Sequence, residues 1–243
     1  NKKLLISFMG VGEPLLNLEL IETLFKKEEN IKKLLGYEKI SYAISTMMPN
    51  DYVLKLTELV RQYHKPLKLH FSLHTPIDDE RRDLIPSTRL QVEEALVLLL
   101  HYRHQIQKDE NIMSAYQEFH RTDDPIEIHY TLIKGINDGK RELEILTTLL
   151  KQYKIPIKFI HFNPKSGMEV SESEKKWVEY IQEKADVRVK TYTPPGREIG
   201  SSCGEFTKHY YHEEIETEEE KEEYLKWKKE HEVVLNKSYK RQF

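Results

Sequence analysis

Glu13 ends an apolar run, Leu4 to Met9, and is bracketed by Gly10, Gly12 and Pro14. A carboxylate on a loop whose glycines let backbone come close to a ligand can take a cationic amine. Four later segments end in polar groups of other kinds: Ser45-Thr46, Ser72-Leu73-His74, Gly135-Ile136-Asn137-Asp138 and Asn163-Pro164. Singly, each reads as well as a helix cap or a turn, and a turn followed by an Asx cap explains the 135–138 segment fully. Jointly, a carboxylate, hydroxyls, an imidazole and an amide suit a zwitterionic ligand rich in hydrogen-bonding groups. The chain has one cysteine, Cys203, between Gly200 and Gly204. A lone thiol is either a mobile nucleophile or an inert buried sulfur. His101 with His104, and His209 with His212, have helical metal-ligand spacing but no acidic or cysteine partner close in sequence. They read as surface or packing histidines, and no metal ligand is assigned.

The elements that must position these groups alternate strand and helix. The expected strands are Leu4–Gly10, Lys39–Thr46, Leu67–Thr75, Ile126–Lys134, Ile157–Pro164 and Val187–Thr193. Helical spacing follows Asp51 (Val53, Leu56, Leu59, Val60), Thr88 (Val92, Ala95, Leu96, Leu99, Leu100) and Asp138 (Leu143, Leu146, Leu150). Ser171 and Glu174 form a capping-box pattern before Trp177, Val178 and Ile181. Such alternation implies parallel strands joined by right-handed crossovers. Residues 101–124 read as a polar insertion with a surface helix near Met113–Phe119.

The strand faces choose between an open sheet and a barrel. Leu67, Leu69, Phe71 and Leu73 alternate with Lys68, His70, Ser72 and His74; Ile126, Ile128, Tyr130 and Leu132 alternate with Glu127, His129 and Thr131. Parallel strands buried on both faces are usually continuous aliphatic runs. Here one face suits helix packing and the other needs polar partners, which a barrel lumen holding a polar ligand supplies. The reactive groups would then ring the carboxyl ends of the strands.

Composition bounds the rest. A chain of 243 residues with 38% hydrophobic and 33% charged residues can bury a substantial core beneath a well-solvated surface. No run approaches the roughly 20 apolar residues of a membrane span, so a cytoplasmic protein is expected. The net charge of −3 gives no global argument for nucleic acid, and ten Glu against eight Lys plus Arg in 207–243 put −2 of it in the tail. One cysteine excludes a disulfide framework within the chain and any cluster held by several of its own cysteines.

Gly-Glu-Pro-Leu-Leu-Asn at 12–17, Ile44-Ser45-Thr46, Phe71-Ser72-Leu73-His74 with Asp78-Asp79-Glu80-Arg81 and Leu84-Ile85-Pro86, Leu132 to Asp138, Phe162-Asn163-Pro164 and Gly196 to Gly204 occur in that order. This series resembles the radical S-adenosylmethionine methyltransferases of the RlmN/Cfr type, which act on an adenine of ribosomal RNA and, in some members, transfer RNA. The resemblance implies an α/β fold, a partial (β/α)6 TIM-like barrel of parallel strands truncated at its N-terminus, over residues 1–206, followed by a charged helical tail over 207–243. It implies that Gly12 and Glu13 hold the amino end of S-adenosylmethionine. Ser45, Ser72, Leu73 and His74 would meet its carboxylate and ribose, and Asn163 its adenosine part. Cys203 would be the catalytic residue, methylated first and then delivering a methylene to the base. A [4Fe–4S] cluster and a reductant such as flavodoxin or ferredoxin are implied as well. The first strand and the cluster loop are expected upstream of Asn1, so these 243 residues alone should hold no cluster and turn nothing over.

The chain departs from the family pattern at Met47-Met48-Pro49, Lys165-Ser166 and Thr193-Pro194-Pro195. Two other readings therefore stay open. One keeps the radical chemistry but acts on a peptide or small metabolite; the other is a cluster-less barrel that binds a nucleotide-like ligand or a partner protein.

Overall fold

The computed structural model describes residues 2–9, 12–120, 122–163 and 168–194. Gly10, Pro164, Cys203 and the whole tail lie outside the described residues. Six strands form one sheet in chain order: β1 (Lys3–Phe8), β2 (Lys39–Thr46), β3 (Leu67–Ser72), β4 (Ile126–Tyr130), β5 (Ile157–Ile160) and β6 (Val189–Tyr192). Every neighbouring pair is parallel. The sheet curls into the expected half-barrel, with helices outside.

The alternation seen in the sequence decides which way each side chain points. Ile40, Tyr42 and Ile44 on β2, Leu67, Leu69 and Phe71 on β3, Ile126, Ile128 and Tyr130 on β4, and Ile157 and Phe159 on β5 pack into one apolar core. Against them lie the inner faces of α3 (Val53–Gln62), α5 (Val92–Gln107), α7 (Lys140–Tyr153) and α8 (Glu174–Ala185). Trp177 of α8 is fully enclosed, 5.6 Å from the Tyr130 ring and edge-on to Phe159. Such rings each bury a large apolar area and prefer tilted contacts.

Several local expectations are corrected. Strands β3 to β5 stop three or four residues early, because the residues after them leave the ladder to form the rim. The helix after Thr88 starts at Val92, where Gln91 and Glu94 make a capping box. Asp138 does not cap α7; it accepts from the Gly135 amide and the Ser171 hydroxyl, and Gly139 is the N-cap. Ser171 accepts from the amide of Ser173 instead of forming a box with Glu174. The polar insertion is structural. Asp109 caps α6 (Glu110–Phe119), which buries Ile112 and Tyr116, and the Tyr116 hydroxyl donates to the Asp124 carbonyl just before β4. Helices α1 (Leu18–Lys26), α2 (Glu28–Leu35) and α4 (Asp78–Leu84) complete the crossovers. None of the described helices is long and apolar enough to cross a membrane.

Candidate functional site at the strand tips

Glu13 ties the first two strand ends together. It caps the one-turn helix Pro14–Asn17, with Oε1 accepting from the Leu15 amide at 2.9 Å and from the Thr46 hydroxyl at 2.6 Å. Oε2 accepts from the Met47 amide at 2.9 Å. A carboxylate offers about four lone-pair positions, so three donors leave room for one further cation or donor. Gly12 beside it is exposed at φ +77°, the left-handed region that a glycine enters at no steric cost.

The next two strand ends meet through hydroxyls. Ser45 Oγ and Ser72 Oγ lie 3.2 Å apart, half-buried on the lumen side. The Leu73 side chain is buried in the core, so it offers a ligand only main-chain groups. Its amide donates to the His129 carbonyl and its carbonyl accepts from Arg81.

His74 is the most constrained of the predicted residues. It sits at φ +58°, a conformation that a non-glycine residue holds only when its surroundings enforce it. Asn137 does the enforcing. Its side-chain amide donates to the His74 carbonyl at 2.6 Å and the Thr131 carbonyl at 2.8 Å, while its oxygen accepts from the Ile133 amide. The His74 ring accepts the Thr131 amide proton at Nδ1, which places its own proton on Nε2. Burial, aided by the neighbouring His129 and the Arg81 charge, pushes its pKa down to about 4, so the ring is a neutral donor at neutral pH.

Arg81 on α4 is a rim residue to which sequence reasoning gave no role. Its buried guanidinium donates to the Thr88 hydroxyl (2.5 Å), the Met47 carbonyl (2.6 Å), and the Leu73 and Ser72 carbonyls (3.2 and 3.4 Å). It clamps the ends of β2 and β3, and Met48 beyond the clamp is also left-handed at φ +51°. An Arg inside Asp-Asp-Glu-Arg reads as a solvated charge, which hid this function. Asn163 is buried a few residues beyond β5.

Hydrogen bonds thus run strand to strand along one rim, from Glu13 to Thr46, from Ser45 to Ser72 and from Thr131 to His74, with Gly12 adjoining Glu13. Below them the lumen holds a second polar group. Glu127 of β4 pairs with Lys158 at 2.7 Å, Lys190 at 3.2 Å and Lys68 at 3.3 Å, and lies 3.6 Å from His129 Nε2. Burial alone would raise the Glu127 pKa, but His129, Lys68 and Lys158 outweigh it and hold the carboxyl far below its usual range. Buried His70 and His129 are pushed toward their neutral forms. The alternation in β3 and β4 signalled a polar lumen; it did not signal that one carboxylate would collect three lysines.

Comparison with known proteins gives the chain relatives over most of its length. The chain is 30% identical to a probable dual-specificity RNA methyltransferase RlmN of Desulforamulus reducens over 212 residues, 84% of this chain and 54% of that protein. It is 24% identical over 214 residues to a ribosomal RNA large subunit methyltransferase Cfr of Shouchella clausii, covering 84% and 55%. The chain is a homologue of the RlmN/Cfr methyltransferases. It spans about half the length of the curated relatives it matches. The fold is similar to that of a solved structure, a radical SAM methyltransferase from Sphaerobacter thermophilus, with a TM-score of 0.60 at 24% identity, over 82% of this chain and 54% of that one. No family model matches the chain.

Proposed function

We propose that this chain is the S-adenosylmethionine-binding barrel of a radical methyltransferase that modifies an adenine in RNA, by way of a methylated Cys203. The observation that carries the reading is the run of strand-tip hydrogen bonds, Glu13 with Thr46, Ser45 with Ser72 and His74 with Thr131, across the ends of β1 to β4. Its chemistry fits the cofactor. Glu13 keeps an acceptor position for an ammonium group, the paired serines and the Nε2–H of His74 offer donors for a carboxylate or ribose, and Gly12 and Asn163 complete the set. S-adenosylmethionine supplies the methyl group when bound; the residues of this chain bind it, orient it and shelter it from water. The described residues do not fit an iron–sulfur cluster, because the sequence holds one cysteine. In this reading the ligands of the [4Fe–4S] cluster come from outside these 243 residues, and a reductant such as flavodoxin or ferredoxin serves it in the cytoplasm. The core spans 1–206 and the charged tail 207–243. A polarisable thiolate suits methyl transfer from a sulfonium, which is why Cys203 is placed in that role.

Calorimetric titration of the 243-residue chain with S-adenosylmethionine tests the rim. Binding that weakens in Glu13→Gln and Ser72→Ala supports the reading, and no binding rejects it. For the RNA step, mass spectrometry of Cys203 in the cluster-loaded, full-length protein should find a one-methyl increase after exposure to cofactor and reductant. An unmodified cysteine under turnover would remove Cys203 from the pathway.

A further inference from the structure

The lumen cluster beneath the rim is unbalanced in charge. Lys68, Lys158 and Lys190 bring three ammonium groups, while Glu127 is the one carboxylate they share. The other titratable groups facing them, His70, His129 and His120, are all pushed toward neutrality by burial first. Among the described residues no second carboxylate forms an ion pair with these lysines, so two positive charges are left over. Two of the lysines are reachable: Lys190 is 40% exposed and Lys158 19%, whereas Lys68 is buried at 7%.

A second observation points the same way. His70 is buried at 6%, and neither of its ring nitrogens has a hydrogen-bond partner among the described residues. By strand register it faces the lumen between Ser45 of β2 and Glu127 of β4, and its ring lies 4.2 Å from that of His129. His129 Nε2 is in turn 3.5 Å from the Lys158 ammonium. Buried polar atoms of folded proteins are nearly always paired, so the two nitrogens of His70 await a ligand or water.

A metal ion is the obvious alternative, since one ligand atom each of His70, Glu127 and His129 falls within a 4.8 Å cluster. Charge decides against it. Each positive charge added about 4 Å from an uncompensated ammonium costs roughly 4 kcal/mol at an effective dielectric of 20. A divalent cation would also have to displace Lys158 from Glu127. An oxyanion removes the imbalance instead of adding to it.

We propose that the lumen carries an oxyanion subsite for a phosphoryl group, held by the ammonium groups of Lys158 and Lys190 and by a ring N–H of His70 or His129. The subsite deepens the RNA-directed reading and rests on it for the bearer of the phosphate, either a strand phosphodiester or the terminal phosphate of a mononucleotide.

The test uses the 243-residue chain and three calorimetric probes: inorganic phosphate, adenosine 5′-monophosphate, and a short RNA with no terminal phosphates. Lys190→Gln should weaken phosphoryl binding about tenfold, as loss of one charge-assisted hydrogen bond does. The double variant Lys158→Gln/Lys190→Gln should abolish it. S-adenosylmethionine affinity, measured in the same proteins, should stay within about twofold, so a failed subsite is told apart from a failed rim. Tighter binding of the mononucleotide or of the RNA supports the subsite and assigns the bearer. Phosphoryl binding that ignores both lysines, or none by any probe at millimolar concentration, overturns the proposal. So does zinc binding that vanishes in His70→Ala.

Discussion

The guanidinium of Arg81 donates to the main-chain carbonyl of Met47 over 2.6 Å, joining the loop after β2 to the helix that follows β3. The same group holds the Ser72 and Leu73 carbonyls, so the spacing of two strand tips is set by one planar side chain. Lysine cannot copy a fork of that shape.

Arg81→Met should therefore destabilise the fold by about 2–4 kcal/mol, because several buried acceptors lose their donor at once. Arg81→Lys should recover a minority of that loss. Urea denaturation followed by circular dichroism measures both, and a cost below about 1 kcal/mol for Arg81→Met would show that the clamp is dispensable.

Asn137 and His74 form the next dependency. Asn137→Ala removes one acceptor and two donors from a fully buried network, for an expected cost of about 2–4 kcal/mol. His74 would then lose what holds it left-handed. Asn137→Asp keeps the acceptor for Ile133 but loses both donors, so it should rescue little. S-adenosylmethionine affinity should fall further than stability predicts, which a titration at a temperature where the variant is fully folded can reveal.

The histidines give a pH dependence with a definite sign. His74 and His120 have folded pKa values near 4 against the usual 6.5 of an unfolded histidine. Below about pH 6.5 the unfolded chain binds protons that the folded chain refuses. Stability should thus be complete above about pH 6.5 and decline as pH falls toward 4. His74→Asn, which tolerates the left-handed backbone and does not titrate, should make that decline shallower by up to one proton. A flat profile between pH 4.5 and 7 in the parent chain would contradict the assignment.

Much of this architecture was legible because it rests on local pattern. Period-two alternation in 67–74 and 126–132 gave the strands, the helix-facing side and the polar lumen. The strand-tip residues stood out because Gly, Ser, His and Asn gather where apolar runs stop. What escaped were long-range contacts between residues ordinary in their own neighbourhoods. Arg81 reaches Met47 across 34 positions, and Glu127 meets Lys68 and Lys190 across 59 and 63. Asn137 read as a turn residue because its turn is real; its grip on His74, 63 positions away, is visible only once the strands are side by side. The start of α8 was misplaced since Ser171 looks like a cap, and backbone geometry selects between candidates a few residues apart.

Glu13→Gln separates the two jobs of that carboxylate. Glutamine preserves one acceptor oxygen for the Thr46 and Leu15 donors but turns an amide nitrogen toward a donor or the ligand ammonium. The structural part should cost about 1–2 kcal/mol. If the remaining lone pair holds a cationic amine, S-adenosylmethionine affinity should fall by about tenfold to a hundredfold, the range expected for a lost charge-assisted bond. Affinity unchanged alongside reduced stability would confine Glu13 to bracing β1 against β2.

Glu127→Gln probes the lumen from the other side. The carboxylate is the sole counter-charge of three ammonium groups among the described residues, so neutralising it leaves like charges facing one another at short range. Removing one partner of a buried pair commonly costs about 3–5 kcal/mol, and a similar loss is expected here. The acid profile should change too. A carboxyl that binds its proton more weakly in the fold than in the unfolded chain lends stability present above about pH 4.5 and lost as pH falls below it. Glu127→Gln should lack that component while keeping the decline due to the histidines. Added phosphate should stabilise the variant more than the parent chain, because the oxyanion then replaces the missing counter-charge. Thermal unfolding of both proteins across a phosphate series reads this directly, and equal stabilisation of the two would mean that phosphate does not enter the lumen.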